Sequence, residues 1–588
     1  MLPTFRALSV GLAASFSVAA VSHAQGLSFR DSFTASPGGG EIVAFDSSAS
    51  TVFGTFSQST SDDKTLAISA FGLDYATLLP DGTFGDSGAI NMASWFSMNL
   101  PGYNVNSLSS VAVDPLGRGF GVASIIPSIN AAGGDFASTW APGKIVLFNT
   151  LSKSVITSFD VGYHPDMVTF TPDGSRILVA NEGEFNAGNA FQANGSLSVV
   201  NVVQSGLDFT GTTVASYDFN AANLGSGVDL VGVRDNTLAM NRVDTTAGVV
   251  NIEPEYIKVN GDQAFVTLQE NNAVGTFDLA TNKWTSITRL GTIEQVIDAS
   301  DRDHPTTTAG IIKIDQSAKG MPMPDAIDSF SINGSKFFVT SNEGDFRLDD
   351  AERIRVNAMG EVNGVTGNLD PTYAASIDQT DEGLGRLRVS NIDGDLDGDN
   401  DIDEVRMPGT RSFTVWDVNG NVVFDSNDLD FGGGANGFEE WIAMNDPINF
   451  NIDGTAFDQR SDDKGPEPEG LVLGKIDGDL FAFVGLERTN HIFMFKLQED
   501  VDTALTFNPA GVGFVAAINT PGAVSPEGLA FVSAESSPTG NAMLLVGNEV
   551  SGTWTAYAVP EPSTWLLLCL GSAFVLWRMR RTALTKNA

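Results

Sequence analysis

The chain has 588 residues and a formal net charge of −40, from 32 Lys and Arg against 72 Asp and Glu. A surface this acidic repels nucleic acid and anionic lipid and attracts cations, so nucleic-acid binding is excluded as an expected function. Sixty-two glycines, 39 phenylalanines and many short Val/Ile/Phe runs favour turn-rich β-structure. The single cysteine, Cys569, lies near the C-terminal end, so we expect no disulfide in the body of the protein.

The first residues predict a secretory signal peptide. Residues 1–24 contain Arg6, then an apolar run, then small residues at Ser22 and Ala24, and we expect cleavage after Ala24. The alternative is an N-terminal membrane anchor, which the short, serine-interrupted run disfavours. We therefore expect the protein to leave the cytoplasm through the Sec export machinery.

A single sequence phrase then recurs five times along the chain. Each copy begins with a Pro-acid pair, continues through two short apolar strands and ends at an acid. The copies span residues 165–184, 253–270, 323–345, 467–488 and 525–549. In four of them an Asx-Gly dipeptide joins the two strands, as in Asp173-Gly174 and Asn333-Gly334. Such dipeptides accept the positive φ angles of tight turns, so each copy is predicted to be a β-hairpin.

Further apolar segments follow most of the hairpins, which indicates units of four antiparallel strands. This is the unit of a β-propeller blade, which buries its faces only against neighbouring blades. Two fainter copies, from Glu41 and from Ser109, bring the count to seven blades, with six or eight as alternatives. The stretch LSFRDSF, residues 27–33, is a candidate closing strand for the last blade. The sequence thus predicts an all-β, seven-bladed propeller; a pair of β-sandwiches would not explain the recurring hairpin.

The body of the protein, residues 25–559, is longer than seven blades of roughly 45 residues each. We therefore expect long inter-strand insertions. The longest is predicted at about residues 347–465, between the third and fourth clear copies. Within it, SFTVWDV and NVVFDS are predicted to be the outer strands of the interrupted blade.

Acids mark both ends of the recurring hairpins. Those that open the inner strand are expected to form a ring at one channel mouth, because inner strands surround the axis of a propeller: Asp166, Glu255, Asp325, Glu469 and Glu527. Those that close the second strand are expected farther out, on the opposite face: Glu182, Glu270, Glu343, Glu487 and Glu549. Carboxylates that converge repel one another unless cations lie among them, and oxygen ligands favour Ca²⁺ or Mg²⁺. The alternative is that these acids cap loop N–H groups or lie on a solvated rim.

Residues 393–404, DGDLDGDNDIDE, match the spacing of a calcium-binding loop, with Gly398 at the sharp turn. The expected ligands are Asp393, Asp395, Asp397, Asp399, Asp401 and Glu404. The flanks predict strands, and Asn400 takes the place of the usual apolar residue, so this is not an EF-hand. We expect Ca²⁺ at this aspartate loop; the alternative is a solvated acidic loop.

The sequence offers little support for catalysis. It contains no H-E-x-x-H, G-x-S-x-G or G-x-x-x-x-G-K motif. The enzymatic hypothesis that stays open is a calcium-dependent phosphoesterase of the alkaline phosphatase or phytase kind, with His164 and Arg488 as the first residues to test. Phosphate sites need several Lys or Arg, in which the chain is poor, so a binding or surface-structural protein is the main expectation.

The C-terminal segment, residues 560–588, combines a Pro-Glu-Pro tripeptide, an apolar run and an arginine cluster. The run covers residues 564–577, which is short for a span of about 20 residues. The three parts together resemble the PEP-CTERM sorting signal, carried here by Pro560, Glu561, Pro562, Arg578, Arg580 and Arg581. The resemblance implies recognition by an exosortase in a Gram-negative bacterium, with transient insertion of a short C-terminal helix in the inner membrane. The alternative is a plain C-terminal anchor.

The body resembles the choice-of-anchor I family. The matching segments include HPDMVTFTPDGSRILVANEGE, KGMPMPDAIDSF and RSDDKGPEPEGLVLGKIDG, and they are spread over most of residues 38–559. The resemblance implies an exported β-propeller of the cell envelope or extracellular matrix, with a loose likeness to phytase-type propellers. It does not imply a reaction.

Overall fold

Seven four-stranded antiparallel sheets recur among the residues described by the structure, which is a computed structural model. These residues are 28–34, 41–55, 67–72, 96–97, 105–127, 141–183, 193–234, 252–307, 310–347, 352–359, 368–399, 401–432, 437–445, 457–538 and 540–559. The predicted signal peptide and the sorting segment lie outside these ranges.

Each of these seven sheets is one blade. The first strand, β1 (Ser28–Thr34), belongs to blade 7, and the next sixteen strands form blades 1 to 4. Blade 1 has β2 (Val43–Asp46), β3 (Thr51–Gly54), β4 (Ala67–Gly72) and β5 (Phe96–Ser97). Blade 2 has β6 (Val105–Val113), β7 (Phe120–Pro127), β8 (Lys144–Asn149) and β9 (Ser154–Asp160). Blade 3 has β10 (Pro165–Phe170), β11 (Arg176–Asn181), β12 (Ser196–Asn201) and β13 (Thr213–Asp218). Blade 4 has β14 (Pro254–Asn260), β15 (Gln263–Leu268), β16 (Ala273–Asp278) and β17 (Lys283–Arg289).

Blade 5 is interrupted between its second and third strands. The strands in chain order are β18 (Ile293–Ile297), β19 (Gln316–Met321), β20 (Ile327–Ile332), β21 (Ser335–Ser341), β22 (Arg353–Arg355), β23 (Arg388–Ser390), β24 (Arg406–Pro408), β25 (Phe413–Asp417) and β26 (Val422–Asp425). Blade 5 consists of β20, β21, β25 and β26, so the two segments predicted as outer strands do complete the interrupted blade. The other five form two small sheets, β18-β19-β24 and β22-β23.

Blades 6 and 7 come next in the chain. Blade 6 has β27 (Pro468–Ile476), β28 (Asp479–Leu486), β29 (His491–Gln498) and β30 (Gly513–Asn519). Blade 7 has β31 (Pro526–Val532), β32 (Ala542–Asn548) and β33 (Thr553–Val559). The N-terminal strand β1 pairs antiparallel with β33 and is the fourth strand of blade 7, as the sequence predicted.

The seven blades form a closed ring. Each inner strand contacts the inner strand of the next blade, and β31 of blade 7 contacts β2 of blade 1. A buried apolar cluster fills each of the seven blade-to-blade contacts among the described residues. At one of them Phe413 of blade 5 packs on Phe495 of blade 6, with ring centroids 5.0 Å apart. The predicted seven-bladed β-propeller is therefore confirmed.

Two of the four predicted Asx-Gly turns have positive φ angles at both residues, whereas at Asp173-Gly174 and Asn260-Gly261 only the glycine has one. Asn333 and Gly334 have φ angles of 48° and 83°, and Asp477 and Gly478 have φ angles of 50° and 93°. Two successive positive φ angles define the type I′ turn, which matches the twist of a tight hairpin.

The segments between blades 4 and 6 build a small second core. Ile297, Ile354, Leu387 and Met407 are among its buried residues. Among the described residues of this region, the helices are α1 (Pro371–Ala374), α2 (Gly437–Asn445) and the 3₁₀ turns Val356–Ala358, Leu384–Arg386 and Ser426–Asp428. Blade 6 adds the 3₁₀ turns Glu487–Thr489 and Pro509–Gly511. None of the helices in the described ranges is long and apolar enough to span a bilayer.

Candidate functional site

Four inner strands begin with a β-bulge that contains an acid. In β10, Pro165 pairs with Asn181 and Val168 pairs with Val179, so two residues, one of them Asp166, face a single residue of β11. The same bulge occurs in three other blades and contains Glu255, Glu469 and Glu527. A bulge redirects side chains from the regular alternation of a strand. It therefore gives each of these acids the same position in its blade.

The five predicted mouth acids line one cavity of about 430 Å³. Glu41, which precedes the inner strand of blade 1, lines it as well. The corresponding position of blade 2 is Ser109, whose hydroxyl donates to the Pro165 carbonyl over 2.5 Å. We call this cavity the acidic mouth. Glu41 was missed as a site residue, although it opens the first faint copy of the repeat.

The acids that close the second strands lie at the same mouth, so their predicted place on the opposite face is wrong. In an antiparallel hairpin the start of one strand is beside the end of the next, as the pairing of Pro165 with Asn181 shows. Glu182 follows Asn181 directly and therefore lies close to Asp166. Glu343 lines the same cavity as the inner-strand acids.

Two triads of carboxylates result from this arrangement. The first triad is Glu182, Glu255 and Glu270, and the second triad is Glu343, Glu469 and Glu487. Within each, one oxygen atom from every residue lies within 4.8 Å of the other two. Each triad combines the inner-strand and second-strand acids of one blade with the second-strand acid of the preceding blade. The two sites are thus equivalent, two blades apart.

Burial and mutual repulsion raise the pKa values of the acids that line the mouth. Burial and then Glu549 raise the pKa of Glu41 to about 7, and burial and then Glu182 raise the pKa of Asp166 to about 7. Burial also raises the pKa of four other mouth acids well above the usual range, and the neighbouring carboxylates raise it further. These acids are Glu255, Asp325, Glu469 and Glu527. Without a cation the mouth holds protons near neutral pH.

Cationic side chains enter the mouth beside the second triad. The Nζ atom of Lys464 contacts Glu343 and lies 3.2 Å from Glu467 Oε2. Arg488 lies 2.8 Å from Glu487 Oε1 and 3.1 Å from Glu467 Oε2. Although burial opposes it, the attraction of these cations and of Arg460 lowers the pKa of Glu467 to about 2. Glu467 and Lys464 are buried and Arg460 and Arg488 are partly buried, so these residues form a largely buried ionic network at this side of the mouth.

Around the first triad the cations are arranged differently. The Nδ1 atom of His164 lies 2.6 Å from Glu182 Oε2. Arg347 donates through Nε to Glu253 over 2.7 Å, and Arg234 donates to the backbone carbonyl of Glu270 over 2.8 Å. The Glu270 side chain is 8 % exposed, and its Oε2 atom is buried without a hydrogen-bond partner.

The two ends of the aspartate loop bind protein cations. Asp393 Oδ2 accepts from Arg234 Nε over 3.0 Å and from the Ser390 hydroxyl over 2.6 Å. Although burial opposes it, Arg234 lowers the pKa of Asp393. Glu404 accepts from Arg406 over 2.7 Å and contacts Lys319.

The middle of the aspartate loop divides into two groups. Asp395, Asp397 and Asp399 form one carboxylate triad, and Asp370, Asp401 and Asp403 form another. The six expected ligands are therefore not brought to one point. Several of these carboxylates accept from amides of the loop itself, as Asp395 does from Gly398 over 2.7 Å.

Comparison with solved structures finds distant similarity. Kuenenia stuttgartiensis hydrazine synthase matches with a TM-score of 0.40 and 10 % identity, over 89 % of this chain and 96 % of that one. A chain of the mitotic checkpoint complex matches with a TM-score of 0.41 and 8 % identity, over 95 % of this chain and 100 % of that one. Similarity at this level says nothing about function. No curated protein matches the chain.

Comparison with protein families gives two matches. The Choice-of-anchor I domain matches residues 90–500, which is more than half of the chain. The PEP-CTERM protein-sorting motif matches residues 558–581, where the sequence predicted it. The chain therefore belongs to the Choice-of-anchor I family and, by its sorting motif, is an exported protein associated with the cell surface.

Proposed function

We propose that this protein acts at the cell surface as a calcium-stabilised binding protein whose binding site is the acidic mouth. One observation carries the proposal: eight acidic residues line a single cavity of about 430 Å³, and six of them lie at the starts of the inner strands of six blades. Such a cavity attracts metal cations and ligands that present a positive charge. Because the ring of blades is rigid, the site is formed before the ligand arrives.

Calcium is the second part of the proposal. The pKa values of the mouth acids rise because burial and like charges penalise ionisation, and a bound divalent cation removes both penalties. The donor atoms are carboxylate oxygens, which suit Ca²⁺. The aspartate loop remains a sequence prediction of a further site, since Asp393 and Glu404 already bind protein cations.

The route to the surface follows from the two ends of the chain. Residues 1–24 act as the signal peptide for Sec-dependent export, and residues 560–588 insert in the inner membrane until an exosortase processes them. The supporting observation is the match of the PEP-CTERM motif to residues 558–581. The mature protein then belongs to the outer envelope or matrix of a Gram-negative bacterium.

A calcium-dependent phosphoesterase is the second candidate. The observation that favours it is the pairing of His164 with Glu182 at the mouth, which provides a group able to carry a proton. Against it, Lys464 and Arg488 are held by carboxylates and so are poorly placed to bind a phosphate. We therefore rank it below binding.

The experiment compares the full-length chain in Ca²⁺, in Mg²⁺ and in EGTA. We expect Ca²⁺ to raise the unfolding temperature and EGTA to reverse this, with no release of nitrophenol from p-nitrophenyl phosphate and no phosphate from phytate. Turnover that EGTA abolishes and that is lost in His164→Gln would establish the phosphoesterase instead. An unfolding temperature that none of the three additions changes would contradict a calcium-stabilised mouth.

A further inference from the structure

The two carboxylate triads of the mouth occupy equivalent positions in the fold but have different surroundings. Each takes its acids from the same three positions in two neighbouring blades. Equivalent positions in a repeat protein carry equivalent backbones, so any difference in function comes from the side chains around them. The two triads differ most in whether lysine and arginine side chains of the protein pair with their carboxylates.

The second triad is neutralised by the protein itself. Lys464 contacts Glu343, and Arg488 lies 2.8 Å from Glu487. Glu343 also accepts from Gln269 over 2.9 Å, and Glu487 from the Ser525 hydroxyl over 3.1 Å. Glu469 keeps one buried oxygen without a partner, but both of its neighbours in the triad are paired with cations.

Among the described residues, no lysine or arginine forms an ion pair with an acid of the first triad. His164 contacts Glu182. The nearest arginines bind other acids: Arg347 binds Glu253, and the Arg234 guanidinium binds Glu352 and Asp393. Glu270 is 8 % exposed, faces Glu182 and Glu255, and has a buried oxygen with no hydrogen bond. A buried polar atom without a partner is costly, and a bound cation would satisfy it.

The geometry points to a Ca²⁺ site formed by Glu182, Glu255 and Glu270, at the position that Lys464 and Arg488 serve in the equivalent triad. Three carboxylates within 4.8 Å of one another are the ligands of a hard divalent cation, and water supplies the remaining positions. Mg²⁺ fits less well because it keeps most of its waters and rarely takes three carboxylates. This inference rests on the proposed binding function of the mouth and assigns its cation to one place.

The test is calcium titration by calorimetry of the full-length chain and two matched variants. Glu270→Gln removes a charge from the first triad, and Glu487→Gln removes the equivalent charge from the second triad, which the protein neutralises by itself. We expect Glu270→Gln to lose one Ca²⁺ per chain and Glu487→Gln to bind as the wild type does. Glu182→Gln, a change of a half-buried residue, repeats the test should Glu270→Gln fold poorly.

Thermal unfolding adds a measurement that separates binding from folding. Without Ca²⁺, Glu270→Gln should unfold at a higher temperature than the wild type, because it removes a repelled carboxylate. With Ca²⁺, it should lose most of the wild-type stabilisation. Binding by Glu270→Gln that equals the wild type, or equal loss in both variants, overturns the first triad as the site while calcium stabilisation stands. A wild-type chain that binds no Ca²⁺ overturns the proposed function as well.

Discussion

Lys464 reaches from the end of the long insertion into the acidic mouth, where its Nζ atom contacts Glu343. This ion pair joins the insertion to the end of the second strand of blade 5. Both side chains are largely buried, so the pair is little screened by solvent. The insertion thus provides one side of the mouth with a fixed positive charge.

Lys464→Met tests that role. Removing one partner of a buried ion pair leaves its carboxylates uncompensated, so we expect a loss of about 3–5 kcal/mol of unfolding free energy in EGTA. We also expect the second triad to bind Ca²⁺, which would raise the calorimetric stoichiometry by one. Lys475→Met is the matched control, because its pair with Asp502 is exposed and should cost less than about 1 kcal/mol. An unchanged stoichiometry would show that Lys464 does not substitute for a metal.

Arg411 holds the insertion together from within. Its guanidinium contacts Glu439 and donates to the carbonyls of Asp298, Ser461 and Asp463 over 2.6–2.8 Å. Arg411→Met should lower the unfolding free energy by about 3–5 kcal/mol, measured by urea unfolding, because Glu439 is left buried and unpaired. The half-exposed Arg302 forms ion pairs of 3.8 and 3.9 Å, and Arg302→Met should cost less than about 1 kcal/mol. Equal effects of the two changes would contradict a structural role for Arg411.

The stability of the calcium-free protein should fall as pH rises. The pKa values of Glu41 and Asp166 are raised to about 7 in the folded chain, so between about pH 4 and about pH 7 the folded chain holds protons that the unfolded chain has released. The unfolding temperature in EGTA should therefore decrease through this window, and Ca²⁺ should flatten the decrease. An unfolding temperature in EGTA that rises steadily through the window would contradict the repulsion inferred at the mouth.

The aspartate loop is tested in the Glu270→Gln variant, in which we expect the first triad not to bind Ca²⁺. If the loop binds Ca²⁺ through its exposed triad, Asp397→Asn should abolish the remaining binding. Glu404→Gln should leave it unchanged, because Glu404 is held by Arg406 and Lys319. Calcium binding that does not respond to Asp397→Asn would remove the loop as a site.

Most of the fold could be predicted because the repeat is local. A hairpin is specified by adjacent residues, such as Asn333-Gly334 between two apolar strands. The closing strand β1 was also a candidate from the sequence. The small sheet β18-β19-β24 could not be predicted, because its parallel pairing of Lys319 with Arg406 joins segments far apart in the chain.

Part of the site could be predicted as well, because the repeat also fixes where its acids lie. The acids that open the inner strands were found from their spacing, but the acids that close the second strands, Glu343 and Glu487 among them, were assigned to the wrong face. Antiparallel pairing places both ends of a hairpin at one edge, and this rule was available from the sequence. The contact of Lys464 with Glu343 was not, because it depends on how a long insertion folds back.

The most direct test of the calcium site is anomalous diffraction from crystals of the protein grown in Ca²⁺. We expect a calcium peak at the first triad, with oxygens of Glu182, Glu255 and Glu270 about 2.3–2.6 Å away. At the second triad we expect no peak, since Lys464 and Arg488 occupy that place. Calcium bound elsewhere with none at the first triad would contradict the assignment.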